Sequence, residues 1–377
     1  MNSRERFRAA IDHREPDRVP IDLGGDMHNG LAEVLYKNLL KYLGEDDEVR
    51  IYDHMQHLAI IKESVLERLH VDTRYIAANA GAGFERIVAS DGSWADEWGI
   101  KRINVGLYDE TIGNPLADIT FEKLKNYKLP DPSDQARYAG LKEKAKSLYE
   151  STEYAILGSS AASFFYLTSE LVGYQEYMEK LLLDTELIEA LVDRMLEWQL
   201  EFFDHYLDEI GEYIDMVWIG DDWGTQIAPL MSPQLFRDIF MKRYKVFTKF
   251  IKSKADVKIA LHSCGSIIWA LDDLADAGID VIHPMQGDAK GMDDPAALSE
   301  KYGNQFVVYS NLRNQTLLPR GTVDEVRKDV REKIQAWAPG GGYIMSCGHN
   351  IQADVPPENL LAVIDETLES GIYPIRK

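Results

Sequence analysis

Residues 258–265 read Lys-Ile-Ala-Leu-His-Ser-Cys-Gly, an apolar run that ends in a histidine and a cysteine. An apolar run of this length between polar residues predicts a buried β-strand from Lys258 to His262. Similar runs recur along the chain, and each is followed by a polar loop and an amphipathic helix. The further strand candidates are residues 19–23, 73–77, 154–158, 216–219, 280–282, 307–309 and 343–346.

This alternation of strands and helices predicts an α/β fold, namely a distorted (β/α)8 TIM barrel. The clearest helix covers Thr185–Ile210, and others begin at Ser232-Pro233 and Pro356-Pro357. Residues 81–103 predict an extra hairpin in the N-terminal part, with its turn at Asp91-Gly92-Ser93. A doubly wound open sheet is the alternative, but no glycine-rich dinucleotide turn follows an early strand. We therefore expect one barrel domain over residues 1–377.

The composition limits the classes of partner. The 377-residue chain has a formal net charge of -22, which argues against binding to nucleic acid or to an anionic membrane. Its two cysteines cannot form a disulfide framework, so a reducing, cytoplasmic location is expected. No apolar run is long enough to span a bilayer, and the first residues do not resemble a signal peptide. The oligomeric state stays open, a homo-oligomer included.

Both cysteines are placed like metal ligands. Cys264 follows His262 by two residues, and Cys347 precedes His349 by two. In a strand such pairs point to the same side, and thiolate and imidazole are preferred ligands of zinc. The spacing predicts a zinc site shared by these residues, with a buried histidine and buried thiols as the alternative. His349 stays open as a ligand, as a group that supports a ligand, or as a loop residue.

Other polar residues follow the predicted strands, where barrel enzymes place their active sites. Asp221 and Asp222 are candidates for catalysis, with capping of the next helix as the alternative. Arg313 is a candidate for binding a substrate carboxylate, with a surface ion pair as the alternative. The predicted substrate-binding set consists of Asp22, Gln286, Asn311 and Arg313.

Several short motifs carry a resemblance to a known family. They are Arg18-Val19-Pro20, Asp96–Gly99, Gly220–Gln226, Ser232-Pro233, His262–Gly265, His283–Gln286, Leu318–Thr322, Gly340–Ile344, His349–Gln352 and Val355–Asn359. In these motifs, over nearly its full length, the chain resembles the uroporphyrinogen decarboxylase superfamily. The resemblance implies a distorted (β/α)8 barrel, in agreement with the strand pattern.

Two functional classes occur in that superfamily. Its decarboxylases bind a polycarboxylate porphyrinogen through arginines of an N-terminal loop, and the matching residues 22–30 contain no arginine here. Its zinc-dependent methyltransferases work with corrinoid (cobalamin) proteins and carry a His-x-Cys pair and a cysteine near the C-terminal loop. His262, Cys264 and Cys347 resemble that set, and the choice between Cys347 and His349 as third ligand stays open. Counting back from Glu358-Asn359 places that ligand nearer to His349 than to Cys347.

The resemblance therefore implies a zinc-dependent methyltransferase that moves a methyl group between a small donor or acceptor and a corrinoid. The corrinoid, methylcobalamin in its methylated form, is expected on a partner protein. A decarboxylase of a small or porphyrinogen-like carboxylic acid, without metal and with Arg313 as carboxylate anchor, is the alternative. A non-catalytic protein with a closed four-ligand zinc site is a third interpretation. The identities of the methyl donor and acceptor stay open.

Overall fold

Parallel strands at the centre of the molecule follow the alternation seen in the sequence. The computed structural model describes residues 1–46, 48–160 and 162–376. The strands are, in chain order, Ile51–Asp53 (β1), Leu58–Ala59 (β2), Thr73–Ala77 (β3), Trp94–Ala95 (β4), Lys101–Asn104 (β5), Asp109–Gly113 (β6), Ala155–Ser159 (β7), Met216–Gly220 (β8), Lys258–His262 (β9), Val281–His283 (β10), Val307–Tyr309 (β11) and Tyr343–Ile344 (β12).

One curved parallel sheet contains seven of these strands, in the spatial order β12-β11-β10-β9-β8-β7-β3. Each of the seven coincides with a strand predicted from the sequence, and its ends differ from the predicted ends by at most two residues. The order follows the chain, as expected when each strand is joined to the next by a helical crossover.

The eighth predicted strand, residues 19–23, closes the sheet without being a regular strand. The Asp22 amide donates to the Met345 carbonyl at 2.9 Å, next to β12. The Asp72 amide donates to the Ile21 carbonyl at 2.8 Å, next to β3. Pro20 has no amide proton to add to this ladder, which explains the irregular pairing. The segment thus joins the two edge strands, and the predicted distorted (β/α)8 barrel is confirmed.

The predicted N-terminal elaboration is also confirmed, in a larger form. β4, β5 and β6 form an antiparallel three-stranded sheet, and β1 pairs with β2. The turn at Asp91-Gly92-Ser93 exists, with Gly92 at a φ of 85°, but it precedes β4. The connection between β4 and β5 is residues 96–100, where the Asp96 side chain accepts from the amides of Trp98 and Ile100, both at 3.0 Å.

Helices surround the barrel. Ser232 caps the helix that begins at Pro233, since its hydroxyl accepts from the Leu235 amide at 3.2 Å. A π-helical segment, Arg237–Met241, continues that helix into the next, and a 3-10 turn covers Gln135–Arg137. The α-helices are Ser3–Ile11 (α1), Glu33–Leu43 (α2), Glu63–Arg68 (α3), Phe121–Asn126 (α4), Leu141–Ser151 (α5), Tyr166–Val172 (α6), Tyr174–Leu183 (α7), Thr185–Ile210 (α8), Pro233–Phe236 (α9), Lys242–Lys254 (α10), Leu271–Asp276 (α11), Pro295–Tyr302 (α12), Leu317–Arg320 (α13), Val323–Trp337 (α14) and Pro357–Ser370 (α15).

The barrel interior is filled at the end where the strands begin. α1 packs against β3, β7 and β12 and places Phe7 among buried residues from the strand starts, such as Ala155, Val281 and Val307. The opposite end, where the strands finish, is therefore the end that is open for a site. Within the described ranges, no helix combines the length and apolarity needed to cross a membrane.

Candidate active site

Three predicted ligand residues meet where β9 ends. One ligand atom from each of His262, Cys264 and His349 lies within 4.8 Å of the other two. The Cys264 Sγ is 3.4 Å from the His262 Nε2. A tetrahedral zinc with bonds of about 2.3 Å to sulfur and about 2.0 Å to nitrogen separates such atoms by about 3.5 Å. The separation of Cys264 and His262 matches this value, so the three residues could hold a metal ion such as zinc.

Backbone contacts fix the position of Cys264. Its amide donates to the Asp222 carboxylate at 2.7 Å, and the next amide, of Gly265, donates to the Gln286 side chain at 2.7 Å. Gly265 has a φ of 87°, and a Cβ there would lie 2.3 Å from the Gly224 carbonyl oxygen. Only glycine fits this close crossing of two loops. The loops that follow β8, β9 and β10 therefore jointly fix the position of the Cys264 thiol.

A chain of hydrogen bonds orients His262. Its Nδ1 lies 2.8 Å from the Nδ1 of His283, whose Nε2 lies 3.3 Å from the Cys347 carbonyl oxygen. A carbonyl only accepts, so His283 donates from Nε2 and accepts at Nδ1. His262 then carries its proton on Nδ1, and its Nε2 lone pair is on the side of Cys264. Burial lowers the pKa of both histidines well below the usual value, which favours the neutral rings that this chain requires.

Cys347 lies outside the ligand group. Its side chain is in the hydrophobic core, and burial raises the pKa of its thiol to about 12. β12 ends at Ile344 and its pairing stops at Met345, so residues 346–350 are a loop in which positions two apart do not share a face. The structure thus brings His349 to the group, whereas Cys347 contributes its carbonyl to His283.

His262 and His349 line a cavity of about 780 Å³. A smaller cavity of about 350 Å³ reaches Cys264 and His349 from another side. The larger cavity is acidic. Among the described residues its wall contains two arginines, Arg102 and Arg137, and eight carboxylates: Asp53, Asp96, Glu97, Asp109, Glu110, Glu170, Asp221 and Asp222.

Both arginines of the cavity wall are neutralised by neighbours. Arg102 pairs with Glu170 at 2.9 Å and with Asp96 at 3.4 Å. Arg137 pairs with Glu97 at 2.5 Å. An anionic ligand would therefore compete with carboxylates that already hold these guanidinium groups.

The two aspartates predicted to be catalytic differ in their surroundings. Asp221 is buried and accepts from the amides of Phe164, Phe165 and Tyr166 at 2.7–2.9 Å. The hydroxyls of Ser163 and Tyr244 also donate to it, so its oxygens are occupied in fixing the start of α6. Asp222 has a half-exposed side chain in the cavity wall, and its Oδ1 is 3.9 Å from the His262 Nε2. Asp222 is thus the aspartate free to contact a ligand.

None of the four predicted substrate-binding residues lines the larger cavity. Gln286 lines the smaller cavity, and Asn311 is buried with its oxygen accepting from the Trp337 indole at 3.3 Å. Arg313 pairs with Asp329 at 3.1 Å. Asp22 is buried inside the barrel and accepts from the Tyr75 and Thr73 hydroxyls, both at 2.5 Å. Burial raises the pKa of Asp22 to about 6. Neither cavity is lined by Asp22, Asn311 or Arg313.

His28 is a cavity residue that the sequence analysis did not select. Its Nδ1 is hydrogen-bonded to Asp26, which also accepts from the Ser159 hydroxyl. The His28 ring stacks on Trp218 with centroids 5.3 Å apart and lies 4.8 Å from the His262 ring. The available signal was the run Gly24-Gly25-Asp26-Met27-His28 directly after the first predicted strand.

Comparison with known families identifies the chain at the family level. The family described as "Uroporphyrinogen decarboxylase (URO-D)" matches residues 109–369. The chain belongs to the uroporphyrinogen decarboxylase family. The matched segment runs from β6 to α15 and includes His262, Cys264 and His349.

Individual relatives within this family carry two kinds of name. The uroporphyrinogen decarboxylase of Legionella pneumophila (strain Corby) is 25% identical over 169 residues, 44% of either chain. The methylcobamide:CoM methyltransferase of Methanosarcina barkeri is 25% identical over 199 residues, 52% of this chain and 53% of the relative. The chain thus spans about half the length of these curated relatives. A solved methyltransferase structure from Methanosarcina mazei superposes with a TM-score of 0.68 at 19% identity, covering 98% of this chain and 99% of that one, which shows a shared fold.

Proposed function

We propose that the chain is a zinc-dependent methyltransferase that moves a methyl group between a small molecule and the corrinoid of a partner protein. The observation that carries the proposal is the group His262, Cys264 and His349, whose two histidines face a cavity large enough for a substrate. The methyltransferase among the relatives supports it. We also propose that residues 1–377 form one domain and that the corrinoid is bound by the partner.

The acidic cavity favours methyl transfer over the alternative, decarboxylation. Family members named uroporphyrinogen decarboxylase match this chain, which makes a carboxy-lyase the second candidate. A polycarboxylate in the cavity would face the carboxylates of its wall, and both arginines there are already paired. Like charges at close range in a poorly solvated site repel strongly. Arg313, the predicted carboxylate anchor, does not line the cavity.

Zinc bound by the three residues would act as a Lewis acid towards a sulfur, oxygen or nitrogen atom of the small molecule. The protein groups have separate tasks. His283 holds His262 in the tautomer that presents Nε2, and Asp222 fixes the backbone of Cys264 while facing the cavity. Asp26 holds Nδ1 of His28, which leaves Nε2 as the ring atom that can hydrogen-bond to the substrate.

Metal analysis of two matched variants tests the proposal. Wild-type protein purified under reducing conditions should contain about one zinc per chain, Cys264→Ala should contain almost none, and Cys347→Ala should retain it. The Cys347→Ala variant controls for loss of a thiol, because Cys347 lies outside the ligand group. Methyl transfer to cob(I)alamin, or from methylcobalamin, is then measured on the same three proteins. Wild-type protein without zinc would contradict the proposal.

A further inference from the structure

Resting on the proposed function, we infer that the small molecule in the larger cavity carries an ammonium group rather than a carboxylate, sulfonate or phosphate. The inference depends on three features of the cavity wall: carboxylates without an ion pair to lysine or arginine, a buried acceptor without a donor, and aromatic rings beside them. Asp53, Asp222, Gln199 and Tyr166 provide these features together with Trp98 and Trp198.

Asp53 and Asp222 form no direct ion pair with a lysine or arginine among the described residues. Asp53 accepts from the Gln56 amide at 2.8 Å, and the charge of Arg102 acts on it only from beyond ion-pair distance. The basic group closest to Asp222 is His262, 3.9 Å away. That histidine is neutral in the hydrogen-bond chain described above, and the zinc ion that it would hold is the cation nearest to Asp222. Neither Asp53 nor Asp222 is paired with a described lysine or arginine, so both can contact a positive ligand.

These carboxylates converge on one side chain. Burial and the charge of Glu170 raise the pKa of the Tyr166 phenol, the charge of Arg102 lowers it, and the charges of Asp222 and Asp53 raise it further. Three carboxylates thus face one guanidinium group there, and their excess negative charge would stabilise an ammonium ion beside that phenol. Its hydroxyl lies 3.7 Å from the Met55 sulfur, so an apolar surface adjoins the acidic one.

Gln199 supplies an independent observation. It is 1% exposed, its amide nitrogen donates to the Ser163 carbonyl at 2.7 Å, and its Oε1 has no partner among the described residues. A buried acceptor without a donor costs about 1–3 kcal/mol. The residue lines the same cavity, so an N–H group of a ligand would satisfy it.

Aromatic faces complete the environment of a cation. Trp98 and Trp198 line the cavity and contact each other edge to face, with centroids 4.8 Å apart. The Trp198 ring already stacks on Phe202 and has the Arg137 guanidinium 5.9 Å from its centroid, so Trp98 is the indole offered to a ligand. The indole ring is the strongest aromatic partner for an ammonium ion. Asp222 lies so close to His262 that a short alkyl chain suffices to join a metal-bound atom to an ammonium group at that carboxylate.

Three thiols that share a two-carbon chain and carry a positive, a neutral or a negative terminal group test the inference. Binding of 2-aminoethanethiol, 2-mercaptoethanol and 2-mercaptoethanesulfonate to the zinc-loaded enzyme is measured by isothermal titration calorimetry. We expect the ammonium thiol to bind about tenfold more tightly than the neutral thiol and the sulfonate to bind most weakly. Asp222→Asn and Asp53→Asn should each reduce this preference, whereas Glu143→Gln, a change in α5 away from the cavity, should not.

A second pair of probes separates this inference from the proposed function. Choline and 3,3-dimethylbutan-1-ol have the same shape, differ in charge and do not require zinc. Zinc-loaded enzyme that binds the three thiols equally, or prefers the sulfonate, would overturn the inference and leave the proposed function intact. Protein without zinc would overturn the proposed function, and the choline pair would still decide the charge preference: tighter binding of choline supports it, and equal binding refutes it.

Discussion

Replacing His283 by leucine is expected to weaken zinc binding about 10- to 100-fold, although His283 is not itself a ligand. In the wild type, His283 Nδ1 accepts the His262 Nδ1 proton at an N···N distance of 2.8 Å, and His283 Nε2 donates to the Cys347 carbonyl oxygen at 3.3 Å. Leucine removes both partners. An unsatisfied buried donor costs about 1–3 kcal/mol. His262 must present Nε2 in the metal-bound state. If the metal-bound state bears this cost, the affinity for zinc falls by about 10- to 100-fold.

Competition with a chromophoric chelator measures the effect directly. His283→Gln is the matched control, because an amide offers both an acceptor for His262 and a donor for the carbonyl, so it should recover most of the lost affinity. Nitrogen-15 NMR of the His262 ring reports the tautomer independently of the metal. Zinc binding by His283→Leu as tight as that of the wild type would refute the reasoning.

Three further expectations concern stability and the loop that holds Cys264. Asp221→Ala should lower the free energy of unfolding by about 3 kcal/mol or more, since five donors lose their acceptor. Urea denaturation measures this effect, with Glu143→Ala as the control variant. Equal unfolding free energies of the two variants would contradict the prediction. Asp22→Asn should stabilise the protein by up to about 3 kcal/mol at pH 8, because the folded pKa of Asp22 is raised to about 6 and its ionisation opposes folding above that pH. This gain should disappear as the pH falls towards 4, where Asp22 is protonated in the folded state; a gain independent of pH would exclude this cause. Gly265→Ala should lose zinc and melt at a lower temperature than Gly340→Ala. Both glycines have a φ of 87°, but only at Gly265 would a Cβ meet another backbone segment. Equal zinc content and melting temperature of the two variants would show that φ alone matters.

The sequence predicted the barrel and named all three grouped residues as candidate ligands, with the role of His349 left open, for identifiable reasons. Strands such as Lys258–His262 are short apolar runs, and their alternation with helices determines the architecture. His262 and Cys264 were found because one of them ends a strand and the other follows it by two residues. Residues 19–23 were predicted as a strand, since apolar composition does not reveal that Pro20 interrupts the pairing.

The positions of the remaining site residues depend on where strands end and how loops fold, which the sequence pattern does not reveal. Cys347 was predicted as a ligand because the strand before it was expected to reach residue 346, but the strand ends at Ile344. A polar residue after a strand indicates the correct end of the barrel, yet Asn311 points into the structure towards Trp337. The position of His28 beside His262 results from the path of a glycine-containing loop, which has no periodic pattern.

The short stretch from Cys347 to His349 touches the ligand group twice, through a main-chain carbonyl behind His283 and through an imidazole at the group itself. The same stretch follows directly on Met345, where residues 20–22 complete the sheet. A metal ion bound here would therefore stabilise the barrel where residues 20–22 join β12. Separation of residues 20–22 from Met345 would displace His349 directly and would change the tautomer of His262 through His283. Retention of the metal ion would thus report whether the barrel is closed.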